Sequence, residues 1–352
     1  MLSDWLHHSI KSLDQTALQS ATLRQTQLTK PAGSLGRLEQ IAIQLAAMQG
    51  QQNIVVKNIH ISVFAGDHGI AEEGVSAYPQ VVTTEMIRNF ARGGAAISVL
   101  AKTLNAHLEV IDVGSAHPAG PLEGVIEQRI AAGTRNFLRD EAMTAEQMNE
   151  ALAVGKAAAQ RAIDTSADLF IGGEMGIANT SAATAIACAI IGCSPIDITG
   201  PGTGLDVAGV LRKADLIQQS LDVHGIKRDE PMRALQCLGG FEIAALSGAY
   251  LFCAQQGLPV LVDGFIATVA ALVAIHFQPQ SREWMFFAHR SAEPGHRRIT
   301  EVLEVKPLLD LEMRLGEGSG AAVAVPLLQM AASTHTQMAT FAEAGVSEKQ
   351  DD

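Results

Sequence analysis

Four glycine-rich loops contain most of the polar residues in this 352-residue chain that could take part in chemistry. Each loop follows an apolar run or precedes an Ala-rich run, and the loops cover 65–69, 172–176, 199–204 and 316–320. Backbone N–H groups in such loops can point at an anion, and the dipole of a following helix favours its binding. Several of these loops in one chain therefore indicate a site for a small anionic molecule.

Two glutamates stand in these loops with the character of acid–base groups. Glu317 lies between Gly316 and Gly318, and Glu174 directly follows a pair of glycines. A carboxyl group near apolar segments has a raised pKa and can act as a general base. Two such groups suggest acid–base chemistry at a sugar or a heterocycle. Each glutamate could instead accept hydrogen bonds from the first N–H groups of a helix.

Lys213 and Asp263 are two further candidates for ligand binding. A helix predicted over 206–222 follows loop 199–204, so Lys213 could close a phosphate site or lie on the solvent-exposed face of that helix. The loop matches neither G-x-x-x-x-G-K-[ST] nor G-x-G-x-x-G. Asp263 ends a predicted strand, where α/β enzymes place ribose-binding acids, although it could instead cap the next helix.

We expect neither a metal nor a cofactor. Asp67 and His68, like the segment 289–296, combine acids with histidines, but H-E-x-x-H is absent and the chain has no G-x-S-x-G. The cysteines form no C-x-x-C pair, and three of the four are expected to be core residues in a reducing cytoplasm. The four cysteines are Cys188, Cys193, Cys237 and Cys253.

The composition predicts a folded protein that binds neither nucleic acid nor membranes. Hydrophobic residues make up 47% of the chain and aromatic residues only 4%, so small aliphatic side chains must fill the core. A net charge of −12 provides no basic surface for phosphate backbones. The most apolar stretch, 259–277, is interrupted by Asp263 and Gly264 and is too short to span a bilayer.

The order of apolar patterns predicts strands that alternate with helices after a helical start over 1–50. The predicted strands are 59–64, 108–113, 169–171, 197–199, 260–262 and 284–287. The predicted helices are 80–104, 144–165 (with a capping box from Thr144 to Glu146), 180–191, 206–222, 241–256 and 265–276. This order predicts an α/β fold with a doubly wound, mainly parallel sheet and helices on both faces. Ligands of such sheets bind beyond the carboxyl ends of the strands.

Seven segments, in order, resemble the nicotinate-nucleotide–dimethylbenzimidazole phosphoribosyltransferase family. They are TKPAGSLGRLE (29–39), FAGDHGIAEEGVSAYPQVVTTEMIRNFARGGAAISVLA (64–101), GGEMGIANTSAATAI (172–186), GPGTGLD (200–206), PVLVDGFIATVAALVA (259–274), AHRSAEPGH (288–296) and LLDLEMRLGEGSGAA (308–322). The resemblance implies transfer of phosphoribose from nicotinate mononucleotide to 5,6-dimethylbenzimidazole. Related enzymes that use another base, and a nucleotide-binding regulator without chemistry, remain alternatives.

The resemblance also implies roles for individual residues. Glu317 would be the general base, and we assign Glu174 to the stabilisation of positive charge at C1′. The residues expected to bind substrates are Ser76, Gln80, Met86, Met175, Gly176, Gly202, Thr203, Gly204, Lys213, Asp263, Ser291 and Leu315. Three positions depart from the family pattern as we know it: Ala178 and Glu312 replace glycine, and Ser319 replaces threonine. None of them removes a proposed catalytic group.

The implied architecture has two domains and two copies of the chain. Residues 1–50 and about 325–352 would form a small helical domain, and residues 51–324 a large catalytic α/β domain. The resemblance further implies a homodimer. An amphipathic N-terminus without the apolar run of a signal peptide agrees with a cytoplasmic enzyme.

Overall fold

The computed structural model describes residues 2–347, so Met1 and the last five residues of the predicted helical domain lie outside it. Its strands are β1 (Ile59–Gly66), β2 (His107–Gly114), β3 (Val125–Glu127), β4 (Leu169–Met175), β5 (Val260–Val262) and β6 (Met285–Phe287). Its helices are α1 (Gln15–Gln27), α2 (Arg37–Gln49), α3 (Val81–Ala91), α4 (Ala96–Leu104), α5 (Ala145–Asp164), α6 (Asn179–Ile191), α7 (Pro195–Ile198), α8 (Val207–His224), α9 (Pro231–Leu238), α10 (Phe241–Gln256), α11 (Phe265–Phe277), α12 (Pro294–Val302), α13 (Ser319–Gln337) and α14 (Phe341–Ala344).

The six strands form one parallel sheet in the order β3-β2-β1-β4-β5-β6. The chain winds outward from β1 to β3, and then returns to the centre and winds the other way from β4 to β6. This confirms the predicted doubly wound α/β fold. The direction of winding reverses between β1 and β4, and in such folds ligands bind at that reversal, beyond the carboxyl ends of the strands.

Both faces of the sheet are covered by helices, as the alternation of side chains along β1 shows. Ile61 and Val63 are buried in one hydrophobic cluster with residues of α2, α4 and α13. Phe64 is buried in a second cluster with residues of α5, α6, α10 and α11. Because successive side chains of a strand point to opposite faces, one strand contributes to both clusters.

Small residues let two core helices, α5 and α10, pack closely. A Cβ atom at Gly155 of α5 would lie 1.7 Å from the carbonyl oxygen of Ala245, and one at Gly248 of α10 would lie 2.2 Å from that of Leu152. Larger residues would hold α5 and α10 apart. Glycine at these positions therefore lets the two backbones come into contact.

Three local predictions differ from the structure. Residues 197–199 are not a strand, because Pro195 begins the short helix α7. The helix predicted over 80–104 is two helices, separated at Gly93, whose φ of 77° ends the first. The capping-box partner of Thr144 is Gln147 rather than Glu146, since the third helical position is the one whose side chain reaches back.

Four short elements were not predicted individually, namely β3, α9, α12 and α14. The helices α1 and α2 pack against each other, and α2 also packs against α13 near the other end of the chain. The small helical domain remains a prediction. Within residues 2–347, no helix is both long enough and apolar enough to cross a membrane.

Candidate active site

A cavity of about 260 Å³ lies beyond the carboxyl ends of β4, β5 and β6. It is lined by Tyr78, Glu174, Met175, Gly176, Ile177, Asn179, Thr180, Gly202, Thr203, Asp263, Gly264, Phe265, Ile266, His289, Ser291, Glu293, Arg314, Leu315 and Gly316. Three of the four glycine-rich loops contribute to this lining. The topology therefore brings together loops that are far apart in the sequence.

Glu317 is held in an unusual backbone conformation beside this cavity. Its φ is 64°, between Gly316 at 92° and Gly318 at 85°. A left-handed conformation costs a residue with a Cβ roughly 1–2 kcal/mol, and such strain persists where the surrounding structure demands it. The Glu317 N–H donates to the carbonyl of Glu174 at 3.2 Å, and its Oε2 accepts from the N–H of Ile97 at 3.2 Å.

Two glycines allow the loop of Glu317 to lie against the end of β4. A Cβ at Gly316 would lie 2.3 Å from Oε1 of Glu174, and a Cβ at Gly173 would lie 2.3 Å from the carbonyl oxygen of Glu317. Any larger residue at either position would separate the two loops. The glycines next to each glutamate thus bring Glu174 and Glu317 together.

The carboxyl groups of this region have raised pKa values. Burial raises the pKa of Glu174 well above its usual value, and the charges of Asp263, Glu242 and Glu317 raise it further, while a hydrogen bond from Asn179 opposes the shift. Burial also raises the pKa of Glu317, against the N–H of Ile97, which lowers it. Both groups are therefore stronger bases than ordinary surface glutamates.

Lys213 lies directly beneath the loop 199–204. It is 1% exposed, so the alternative of a solvent-exposed lysine is wrong. Its Nζ donates to Oγ1 of Thr180 at 2.8 Å and lies 3.4 Å from the position of a Cβ at Gly202. Burial lowers the pKa of Lys213 to about 8, although the carboxylate of Glu293 raises it. A cation therefore lies behind a loop whose open side faces the cavity.

Asp263 and Ser291 line the cavity next to two buried histidines. Oδ1 of Asp263 accepts from the N–H of Ala321 at 2.7 Å, so Asp263 binds the first turn of α13. Its Oδ1 also lies 3.9 Å from Nε2 of His289. The N–H of Ser291 donates to Nδ1 of His296 at 2.9 Å. These contacts hold the ends of β5 and β6 in one arrangement.

Five of the expected binding residues lie outside the cavity lining, namely Lys213, described above, and Ser76, Gln80, Met86 and Gly204. Ser76 reaches it indirectly, through a hydrogen bond of 3.1 Å between its hydroxyl and that of Thr203. Nε2 of Gln80 donates to the backbone of His68 at 3.0 Å, and Met86 packs in the hydrophobic cluster that includes Ile97. Gly204 has a φ of 115°, and a Cβ there would meet no described atom within 4 Å.

Several cavity residues were not singled out from the sequence, although most lie in the segments that carry the family resemblance. Asn179 and Thr180 begin α6 and contact Glu174 and Lys213. Their position after a glycine-rich loop was the signal available in the sequence. The others that sequence reasoning missed are Tyr78, Ile177, Phe265, Ile266, His289, Glu293 and Arg314.

Two of the three departures from the family pattern have left-handed backbones. The φ of Ala178 is 75°, and that of Glu312 is 56°. Glycine adopts this conformation without steric cost, which gives a physical reason for glycine in the family pattern at both positions. Nothing in the structure explains the presence of Ser319, whose hydroxyl donates to the carbonyl of Gly316 at 2.7 Å.

Comparisons with known proteins agree with this geometry. A family model described as phosphoribosyltransferase matches residues 10–346. Proteins named nicotinate-nucleotide–dimethylbenzimidazole phosphoribosyltransferase from Pseudomonas putida KT2440 and Azotobacter vinelandii DJ are 55% and 57% identical, and each alignment covers 99% of both chains. A crystal structure of the protein of that name from Thermus thermophilus has a TM-score of 0.90 at 41% identity, covering 96% of this chain and 100% of that one. The chain therefore belongs to the nicotinate-nucleotide–dimethylbenzimidazole phosphoribosyltransferase family.

Proposed function

We propose that this chain transfers the 5-phosphoribosyl group of nicotinate mononucleotide to 5,6-dimethylbenzimidazole. The products are α-ribazole 5′-phosphate, the lower-ligand precursor of cobalamin, and nicotinate. A benzimidazole nitrogen forms the new bond to C1′, and the bond from C1′ to the pyridinium nitrogen breaks. The acceptor approaches the face opposite the leaving group, so the configuration at C1′ is inverted.

The position of Glu317 is the observation that carries this proposal. Its carboxylate takes the N–H proton of dimethylbenzimidazole, which makes the other ring nitrogen more nucleophilic. Burial supports this role because it raises the pKa of Glu317, and the N–H of Ile97 fixes one oxygen while the other can face the acceptor. A surface glutamate would not need a strained backbone to be presented here.

The donor is held by Lys213 and the loops around it. The nucleotide phosphate binds the N–H groups of Gly202 and Thr203 with Lys213 behind them, and the ribose lies near Asp263. Gly204 shapes the same turn, since its own N–H donates to the carbonyl of Pro201 at 3.0 Å. Ser76 supports this loop through Thr203. A net charge of −12 provides no general attraction for an anionic donor, so these local groups must supply it.

The remaining substrate-binding residues belong to the same proposal. Met175, Gly176 and Ser291 lie around the ribose and the nicotinate, and Leu315 covers the site from the loop of Glu317. Gln80 and Met86 form part of the acceptor pocket with the start of α4. The contact of Met86 with the cluster around Ile97 supports this placement, because Ile97 also holds Glu317.

The leaving group reduces the demand on the enzyme. The pyridinium nitrogen of the donor is already cationic, and it takes the electron pair of the breaking bond as neutral nicotinate nitrogen. No diphosphate leaves, so the chemistry requires neither a leaving-group acid nor a magnesium ion. Positive charge develops at C1′, and Glu174 next to Asn179 stabilises it when ionised.

The direct test is incubation of the purified chain with nicotinate mononucleotide and dimethylbenzimidazole. We expect α-ribazole 5′-phosphate and nicotinate in equal amounts, measured by chromatography. A nucleotide-binding regulator would bind the donor and release no nicotinate. An enzyme for another base would release nicotinate only when that other base replaces dimethylbenzimidazole.

The proposal includes a cytoplasmic homodimer. The four cysteines are free, which agrees with a reducing compartment. Ile196 and Leu211 are 54% and 52% exposed and line one surface groove between α7 and α8, as expected of a surface that a second copy could cover. Analytical ultracentrifugation would measure the mass in solution, and a monomer at micromolar concentration would contradict the dimer.

A further inference from the structure

Two histidines and a glutamate meet at the amino-terminal edge of the sheet, on the side away from the active site. His60 near the start of β1 pairs in register with His107 at the start of β2, and Ser62 pairs with Glu109. Side chains two residues apart on a strand share one face of a sheet. Sheet register therefore places all four side chains on the same face.

The three ligand-type side chains are close enough to share one ion. A nitrogen from each histidine and an oxygen of Glu109 all lie within 4.8 Å of one another. The rings of His60 and His107 are 4.6 Å apart between centroids. A tetrahedral ion with bonds near 2.1 Å needs donor atoms about 3.4 Å apart. Rotation of the exposed His107 side chain can bring its ring nitrogen closer to the other two ligand atoms, to the separation that a tetrahedral ion needs.

His60 gives independent evidence for a missing ligand. It is 1% exposed, and neither of its ring nitrogens has a hydrogen-bond partner within the described part of the chain. Its Nε2 lies 3.4 Å from Oε1 of Glu109 without the alignment of a hydrogen bond. Buried polar atoms are rarely left without a partner, and those that are need an explanation such as an absent ion.

Glu109 is already held as a carboxylate ligand would be. Arg161 donates to its Oε2 at 2.8 Å and to its Oε1 at 3.0 Å, and the Ser62 hydroxyl donates to Oε1 at 2.7 Å. These bonds keep the carboxylate ionised and leave a lone pair on Oε2. Carboxylate ligands of metals are oriented in this way by hydrogen-bond donors around them.

We propose that His60, His107 and Glu109 bind a divalent transition-metal ion, with zinc as the best match. Two imidazoles and one carboxylate suit zinc better than magnesium or calcium, which prefer oxygen ligands. The site lies about 20 Å from the carboxyl end of β1, since His60 and Gly66 are six residues apart at about 3.3 Å per residue. The ion joins β1 and β2 and has a structural role, separate from ribosyl transfer.

Titration of the EDTA-stripped, dialysed full-length chain with Zn²⁺ tests the proposal. We expect one saturable site per chain by calorimetry, and Co²⁺ at the same site should give the visible absorption of tetrahedral cobalt. His107→Ala removes an exposed ligand without opening the core, so that variant should fold. Loss of a direct ligand should weaken zinc binding at least about 100-fold, since loss of a residue that only orients a ligand costs roughly 10- to 100-fold.

His8→Ala is the matched control, because His8 is another exposed histidine and neighbours His7. Its binding should equal that of the wild type. Equal zinc affinity in His107→Ala and the wild type would overturn the proposal, as would the absence of saturable binding or loss of binding in His8→Ala. The ribosyl-transfer rates of wild type and His107→Ala serve as a check that both chains are folded.

Discussion

The substitution Glu317→Gln tests the proposed base with little disturbance of the fold. The amide keeps an oxygen that can accept from the N–H of Ile97, and its shape matches that of the carboxyl group. The left-handed backbone is equally strained in both proteins. Because burial raises the pKa of Glu317, the amide should not lower the urea midpoint at pH 7 and should raise it slightly. A fall in rate would then report the loss of the base and not a loss of fold.

The expected loss of rate follows from the contribution of a positioned base. General base catalysis contributes roughly 10²- to 10⁴-fold, so kcat should fall by that factor in Glu317→Gln, or about 2.7–5.4 kcal/mol in activation free energy. KM for nicotinate mononucleotide should stay within about threefold, because Lys213 and its loop are not altered. The assay is the initial rate of α-ribazole 5′-phosphate formation with both substrates saturating.

The pH profile gives a second readout for the same variant. The base acts only when ionised, and burial raises the pKa of Glu317 above the usual value for glutamate. The wild-type kcat should therefore rise with pH through this raised pKa and then level off. Glu317→Gln should lose this acidic limb.

Glu312→Gln is the matched control, since it makes the same change at an exposed left-handed position in the same loop. It should keep wild-type kcat and the acidic limb. The assignment of Glu317 would be refuted if Glu317→Gln kept more than about a third of the wild-type rate, or if its profile kept the same limb.

Three further variants test the rest of the site. Lys213→Met should raise KM for nicotinate mononucleotide about 10- to 100-fold, which corresponds to the loss of a charge-assisted hydrogen bond, while the surface variant Lys306→Met should leave KM unchanged. The affinity of the wild type for nicotinate mononucleotide should also fall above pH 8, where Lys213 loses its proton. Glu174→Gln should lower kcat about 10- to 10³-fold. The pKa of Glu174 is higher in the folded than in the unfolded protein, so the wild type loses stability as the pH rises from the unfolded-state pKa to the folded-state pKa. Glu174→Gln removes this loss and should therefore gain more stability at pH 7 than at pH 5 in urea unfolding. Ala178→Gly should stabilise the fold by about 0.5–1 kcal/mol in the same assay by relieving its left-handed backbone; a lower urea midpoint would contradict that strain.

Local patterns in the sequence were sufficient for most of the fold. The boundaries of α10 and β5 match their predictions because both are long or uniform apolar segments bounded by glycine or proline. The prediction of a strand over 197–199 was wrong, because two β-branched residues among three are compatible with either a short strand or a single helical turn. The break at Gly93 was missed because one isolated glycine is tolerated in many helices.

The sequence by itself determined most of the order of strands and helices, the glycine-rich loops and the family, since each rests on residues that are adjacent in the chain. Only the tertiary structure decided that Glu317 touches Ile97, that Lys213 is buried behind Thr180, and that Glu293 joins them at the cavity. It also brought His60 to Glu109 through strand register. These contacts depend on which strands pair and how closely helices pack, and those choices depend on residues far apart in the sequence.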